Sequence, residues 1–271
     1  MKKTINLYKP VGLTPLQAVN KFKEMDTHYK GKKMSYAGRL DPMAEGVLVL
    51  LVGDENKKMK QYMGFDKEYR AEILFGLSSD SHDVLGLVEK GFRESVEIDI
   101  QELKKKIKKL KGKYEQKIPG FSSYRFKGKA LFSYARSGRL DEVDIPNKVV
   151  NIKKIVIKDV YKISSKRLLK YVINKVDKVK GDFRQEEIKK RWSLLLDGEG
   201  GKDRGGGRDG EDGKDCDEKF YVMDVVIECS SGTYIRAIAD DVGGDFGGGL
   251  LLSLKRLRVG KFGVRDSLRL R

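Results

Sequence analysis

The chain has 271 residues, with 57 Lys+Arg against 40 Asp+Glu and a formal net charge of +17. That length suits one large domain, and 39% apolar residues are enough for a core beneath a charged surface. A cationic excess this large points to a polyanionic partner, either nucleic acid or an acidic membrane face, while the lack of any run of about 18 apolar residues excludes a transmembrane helix.

The N-terminus begins like a signal peptide but meets Lys9 and Pro10 before an apolar stretch can form. The chain is therefore expected to stay in the cytoplasm. Residues 4–10 predict a short strand, and Val11, Gly12 and Leu13 a turn. Thr14, Pro15 and Gln17 fit the N-cap, first and third positions of a helix, a capping box with proline where its missing N–H costs nothing. That helix should run to about Met25 and bury Leu16, Val19 and Phe22. A basic loop follows from His28 to Lys33. The continuous apolar run from Val47 to Val52, closed by Gly53, predicts a buried strand. Residues 69–75 alternate as a strand. Ile100, Leu103, Ile107 and Leu110 recur at helical spacing, and the opposite face is mostly lysine. Residues 149–163, 168–176 and 220–229 are rich in β-branched residues and predict strands. Ser231 is placed to cap a last helix in which Ile235, Ile238, Ala239 and Val242 share one face. Strands and helices are interspersed without a βαβ rhythm. The fold class expected is α+β, with a mixed, mostly antiparallel central sheet flanked by helices.

Residues 197–219 stand apart, holding only Gly, Asp, Glu, Lys, Arg and one Cys. Nothing there can offset the entropy of ordering, so a solvated, disordered insertion is expected. Its acids outnumber its bases, which argues against reading Arg204 to Arg208 as an RNA-binding tract. Cys216 and Cys229 form no CxxC pair, and His28 and His82 are too few and too separated for a metal cluster. Chemistry without metal is expected, carried by carboxylates, Tyr, Arg or Lys.

Residues 101–140 hold 13 Lys/Arg and 2 Asp/Glu, so most of the cationic excess sits there. From Lys117 to Arg139 the cations interleave with aromatics: Phe121, Tyr124, Arg125, Phe126, Lys127, Lys129, Phe132, Tyr134 and Arg136. Cations hold phosphates, and aromatic faces stack on unpaired bases at about 1–3 kcal/mol each. With Gly120, Gly128 and Gly138 for flexibility, a mobile arm closing over RNA is expected. The plainer alternative is that half of these rings anchor a loop on the core.

The most specific segment runs from Ser35 to Leu48. Asp41 precedes Pro42, which drives its backbone to an extended conformation, and it follows Gly38, which permits close approach of another group. A carboxylate held stiffly at the lip of a core strand suits a nucleophile or a general base. Gly38-Arg39-Leu40-Asp41-Pro42-Met43-Ala44-Glu45-Gly46-Val47-Leu48 resembles the G-x-L-D-P-x-A-x-G-x-L signature of TruB-type pseudouridine synthases, which modify uridine 55 in the TΨC loop of tRNA. Further segments resemble that family in the same order. They are Lys9-Pro10-Val11-Gly12-Leu13-Thr14; Lys67-Glu68-Tyr69; Gly76 with Ser79 to Gly86; Ile118 to Ser122 with Lys127-Gly128-Lys129 and Tyr134-Ala135-Arg136; Cys229 to Arg236 with Asp240 to Gly243; and Leu254 to Leu257. The resemblance covers about residues 4–89, 115–140 and 219–262.

What it implies is a pseudouridine synthase fold with an RNA-binding cleft and a thumb-like insertion at about 115–145, in a single catalytic domain. Asp41 is similar to the family nucleophile. Tyr69 is similar to the tyrosine that packs on the flipped base and takes part in proton removal. Arg236 is similar to the arginine that orients the aspartate, and Leu254 to an apolar residue of the uracil pocket. Lys9, Pro10, Tyr36, Gly38, Asp80, Arg125, Lys127, Lys129 and Arg136 fall in the motifs that receive RNA. No cofactor or metal is implied. The implied partner is the TΨC stem-loop of tRNA, and the default expectation is a monomer. Tyr36 stands where members usually have histidine, Ser35 replaces a glycine, Pro15 a common serine and Arg125 a common lysine. Many members continue into a small C-terminal PUA-type domain, which is not expected here because the chain stops at Arg271. The same reaction on another RNA is the alternative within the enzyme class. An RNA chaperone is disfavoured by the retention of Asp41, Tyr69 and Arg236, and a generic binder of nucleic acid or acidic membrane would explain the charge but not the ordered motifs.

Overall fold

A computed structural model of the chain describes residues 2–91, 97–197 and 218–270. The expected glycine-rich insertion lies almost wholly outside the described residues. Strand β1 (Thr4–Lys9) leads into helix α1 (Pro15–Met25), and the predicted capping box is present. Thr14 Oγ1 accepts from the Gln17 N–H, and Gln17 Oε1 accepts from the Thr14 N–H. The buried face of α1 is Pro15, Ala18, Val19 and Phe22. Leu16, expected inside, is 60% exposed, because it lies off the face that the other four share.

Strands β2 (Met34–Ala37), β3 (Ala44–Val52) and β4 (Lys67–Phe75) follow, with a short helix α2 (Met59–Met63) between the last two. A small hairpin, β5 (Leu77–Ser79) and β6 (Val88–Lys90), precedes α3 (Ile100–Lys109), whose apolar residues Leu103 and Ile107 are buried as the spacing predicts. Strand β7 (Gly112–Lys117) then enters the arm. The arm is folded: a short hairpin, β8 (Arg125–Phe126) and β9 (Lys129–Ala130), abuts helix α4 (Leu131–Arg136). It has its own core of Ile118, Leu131, Tyr134 and Val143, so some of the interleaved aromatics do serve as anchors. Tyr124 and Phe132 remain exposed.

Strand β10 (Asn147–Ser164) is followed by helices α5 (Ser165–Val176) and α6 (Gln185–Leu196). The strand expected at 168–176 is therefore the second half of α5. Leu168, Val172 and Val176 recur every four residues and point to one side, while Ser164 caps the start. Helical burial overrides β-branched propensity here. Strand β11 (Lys219–Cys229), helix α7 (Ile235–Gly243), strand β12 (Gly249–Val259) and the short strands β13 (Phe262–Gly263) and β14 (Leu268–Arg269) complete the chain. Ser231 does not cap α7; the N-cap is Tyr234, whose N–H donates to Gln116 Oε1 of β7.

The central sheet runs β14-β1-β3-β12-β4-β11-β10-β7, with β2 beside β3 and β13 beside β12. Only the β1–β14 and β3–β12 pairs are parallel, so the sheet is mixed and mostly antiparallel, as expected. Alternation along β4 divides the core. Tyr69, Ala71, Ile73 and Phe75 pack with α3 and α7. Leu74 faces the other way and joins α5 and α6 around Trp192. Among the described residues no helix is long and apolar enough to cross a membrane.

Candidate active site

The β2–β3 connection carries Gly38 to Met43 over the end of the sheet. Gly38 has φ +87°, and a Cβ there would meet nothing closer than Arg256 Nη1 at 3.9 Å. Glycine is required for the backbone conformation, not for the close approach expected from sequence. Gly46 is the tight position. Its φ is +110°, and a Cβ would lie 2.2 Å from the Arg256 carbonyl oxygen across the parallel β3–β12 pair. Pro42 O accepts the Gly12 N–H at 2.8 Å, and the Ala44 N–H donates to Asp41 O at 3.0 Å. The aspartate is thus held from both sides by backbone.

Arg256 was not singled out by sequence beyond its place in a motif. It is fully buried, and it donates to Val47 O at 2.7 Å, Arg39 O at 2.8 Å and Gly38 O at 3.3 Å. One guanidinium therefore splints the loop that presents Asp41. No local pattern could reveal this, since donor and acceptors lie more than 200 residues apart.

Asp41 Oδ2 lies 2.9 Å from Arg236 Nε. Arg236, near the start of α7, is buried. Its Nη1 donates to Ser81 O at 2.7 Å and its Nη2 to Phe121 O at 3.2 Å. These contacts fix the guanidinium plane, so it can orient the carboxylate. The Asp41 side chain stays 40% exposed and opens into the cleft. Asp83, also missed, is buried 3.9 Å from Arg236 Nε. Burial pushes its carboxyl upward against the pull of Arg236, and it accepts from Ser81 Oγ and the Leu85 N–H.

The cleft encloses about 490 Å³, within the range of sites that take a small ligand or a single base. Of the residues expected to form the site, Asp41, Tyr69, Arg236, Leu254, Gly38 and Arg136 all line it. Tyr69 is 8% exposed, and burial raises its phenol above the ordinary range. Lys9 does not line the cleft. It is wholly buried, its Nζ donates to Pro10 O and Leu13 O, and burial draws its pKa down to about 7. Lys9 and Pro10 belong to the turn that supports Pro42. Tyr36 packs beside the α1 cluster. Arg125, Lys127 and Lys129 sit on the outer hairpin of the arm, where Arg125 Nη1 donates to Gly128 O. Asp80 lies at the rim, where it accepts from the Leu87 N–H and pairs with Arg184.

The adjacent Asp240 and Asp241 turn to different neighbours. Asp240 lies 3.1 Å from His82 Nδ1, while Asp241 accepts from the Tyr114 hydroxyl. They are not a paired acid and base. Among the described residues no group of three or more His, Cys, Asp or Glu is placed to hold a metal ion.

Residues 27–179 match the TruB family pseudouridylate synthase (N terminal domain) model. The chain is 29% identical to the tRNA pseudouridine synthase B of Trichormus variabilis over 271 residues, which is all of this chain and 71% of that protein. It is 35% identical to that of Bacillus subtilis over 151 residues, 56% of this chain and 47% of that protein. Among solved structures, a chain of a Cbf5–Nop10–Gar1 complex superposes with a TM-score of 0.55 at 16% identity, over 98% of this chain. This chain spans about half the length of that one, 52%, and the likeness is one of fold.

Proposed function

Because the chain belongs to the TruB family of pseudouridylate synthases, we propose that it isomerises uridine 55 of the tRNA TΨC loop with Asp41 as nucleophile. The observation that carries this reading is the buried Arg236, held by two backbone carbonyls and set 2.9 Å from a half-exposed Asp41 carboxylate in a cleft of nucleobase size.

The reaction breaks the N1–C1′ bond, turns the uracil, joins C5 to C1′, releases the C5 proton and leaves N1 to take up a proton from solvent, so that product and substrate are isomers. The target base must first leave its stack, at a cost of a few kcal/mol, and the cleft returns stacking on Tyr69 and apolar contact with Leu254. Asp41 then acts at the sugar, either by attack on C1′ or by promoting elimination, while Arg236 pairs with the carboxylate and keeps it aimed. Tyr69, whose pKa burial raises further above the ordinary range, is a neutral phenol at neutral pH. That suits stacking, and a phenol can accept the C5 proton only by passing its own onward. Arg136 and the outer cations of the arm would hold the RNA backbone. The protein would act in the cytoplasm, without a cofactor and as a monomer.

The test uses an unmodified tRNA transcript tritiated at uracil C5. Wild-type protein should release tritium and leave pseudouridine at position 55, mapped by carbodiimide-primer extension. Asp41→Asn should lose at least about 10³-fold in rate, the scale on which removing a nucleophile acts, while still binding the transcript. Tight binding with no release by the wild type would sink the tRNA-isomerase reading and leave either another RNA substrate or an RNA chaperone.

A further inference from the structure

Strands β10 and β11 pair as a hairpin, with Ser164 opposite Lys219. A few residues could join them. Instead the connection spans residues 165–218, and its described part builds α5, a loop and α6. The two helices are firmly seated: Leu168, Val172, Ile188 and Trp192 are fully buried, and the Trp192 indole N–H donates to Gly86 O. The loop between them, residues 177–184, is carried to the mouth of the cleft. Nothing in the sequence motifs assigns it a role.

That loop is tied to three walls of the cleft. The Lys180 N–H donates to Gly12 O at 2.9 Å, and Gln17 Nε2 donates to Lys180 O at 3.1 Å. Arg184 Nη2 reaches Asp80 Oδ2 at 2.9 Å, and its guanidinium lies 4.9 Å from the Phe121 ring. On the arm, Arg136 Nη2 donates to Asp182 O, and its guanidinium lies 5.4 Å from the Phe183 ring. Phe183 and Arg184 both line the cleft that holds Asp41, and both are only partly buried. Arg184 adopts a left-handed conformation at φ +62°. A long side chain persists there only where its surroundings hold it.

We propose that the tip of this insertion is a second RNA-binding wall, facing the arm, in which Arg184 takes a backbone phosphate beside the target uridine and Phe183 stacks on a neighbouring unpaired base. The inference rests on the synthase reading for the identity of the target nucleotide. The chemistry is that of single-stranded RNA recognition: a guanidinium for a phosphate, a ring for a base, and the exposed Lys178 and Lys180 alongside. In the free protein Arg184 rests on Asp80 and Phe121. Bound RNA offers the guanidinium phosphate oxygens in place of the Asp80 carboxylate, both being partners an arginine fork accepts.

The test measures tRNA affinity against salt, with tritium release as a separate readout. Arg184→Gln should weaken binding about tenfold, the value of one charge-assisted hydrogen bond. It should also lower the steepness of log K against log salt by about 1. Arg184→Lys should restore the slope, and Phe183→Ala should weaken binding with the slope unchanged. Asp80→Asn, which frees Arg184, should bind at least as tightly as wild type. Unchanged affinity and slope in Arg184→Gln would overturn the inference. So would an Asp80→Asn variant that loses as much affinity as Arg184→Gln, since Arg184 would then be only a brace. Failure of wild type to release tritium would instead sink the synthase reading, because affinity and slope are read without turnover.

Discussion

Lys9 and Arg256 show how buried cations support the loop that carries Asp41, Lys9 from behind the cleft and Arg256 from its wall. Lys9 donates to two carbonyls of its own turn, and Arg256 to three carbonyls of the β2–β3 connection and β3. The two differ in what burial does to them. Lys9 is drawn from 10.5 to about 7, chiefly by desolvation, with Asp41 pulling the other way. Lys67, also desolvated, falls to about 8. A folded pKa below the unfolded value means that the unfolded chain binds more protons between the two. Stability therefore rises with pH across about 7 to 10.5 for Lys9, and from about 8 upward for Lys67. The expected result is a urea-unfolding free energy that increases from pH 7 to pH 9, by at most about 1.4 kcal/mol per pH unit for each group. Lys9→Met should flatten that slope. A flat wild-type profile would show that Lys9 stays charged in the fold.

The two helices between β10 and β11 are built into the core and not appended to it. Trp192, Leu168 and Val172 share one cluster with Leu74, Val222 and Leu250 of three central strands. Trp192→Ala should cost about 3–5 kcal/mol, the range for emptying a buried aromatic site. The loss should appear in the global transition of the sheet, monitored by far-ultraviolet circular dichroism. An unchanged sheet midpoint, with an early separate helical transition, would mean an independent module. The arm behaves differently as an element. Its small core of Ile118, Leu131, Tyr134 and Val143 is separate from the clusters under the sheet, and its ties to the body include Tyr234, the Arg236–Phe121 and Arg136–Asp182 hydrogen bonds and the Arg184–Phe121 contact.

Across the molecule the net charge of +17 is unevenly spread, and most of the excess lies on α3 and the arm. Each phosphate neutralised by a cation releases counterions, so affinity for RNA should be strongly salt-dependent. If the arm, the insertion tip and the rim together engage about six phosphates, tRNA affinity should fall on the order of 10³-fold between about 50 and 200 mM salt. A filter-binding titration at several salt concentrations checks this. A shallow slope would leave the basic stretch as a solvated face with no role in holding RNA.

The Asp41 loop, the capping box of α1 and the apolar face of α3 were legible because each is written in neighbouring residues: a proline after an aspartate, a threonine three places before a glutamine, a helical period. The resemblance of ordered motifs also named Asp41, Tyr69 and Arg236 before any geometry was known. What local pattern could not give was long-range. Period and propensity conflict at 168–176, and burial against the sheet resolved them as a helix. Lys9, expected among the residues that receive RNA, becomes a buried strut. Arg256 and Asp83 gain their places only when strands far apart in the chain pair. The loop at 177–184 is an unremarked charged turn until the fold carries it to the cleft. Sequence by itself determined the chemistry available to this protein and the short-range elements that bear it. Tertiary structure decided which of those groups meet, because contacts across hundreds of residues depend on sheet order and burial, which leave no short-range signature.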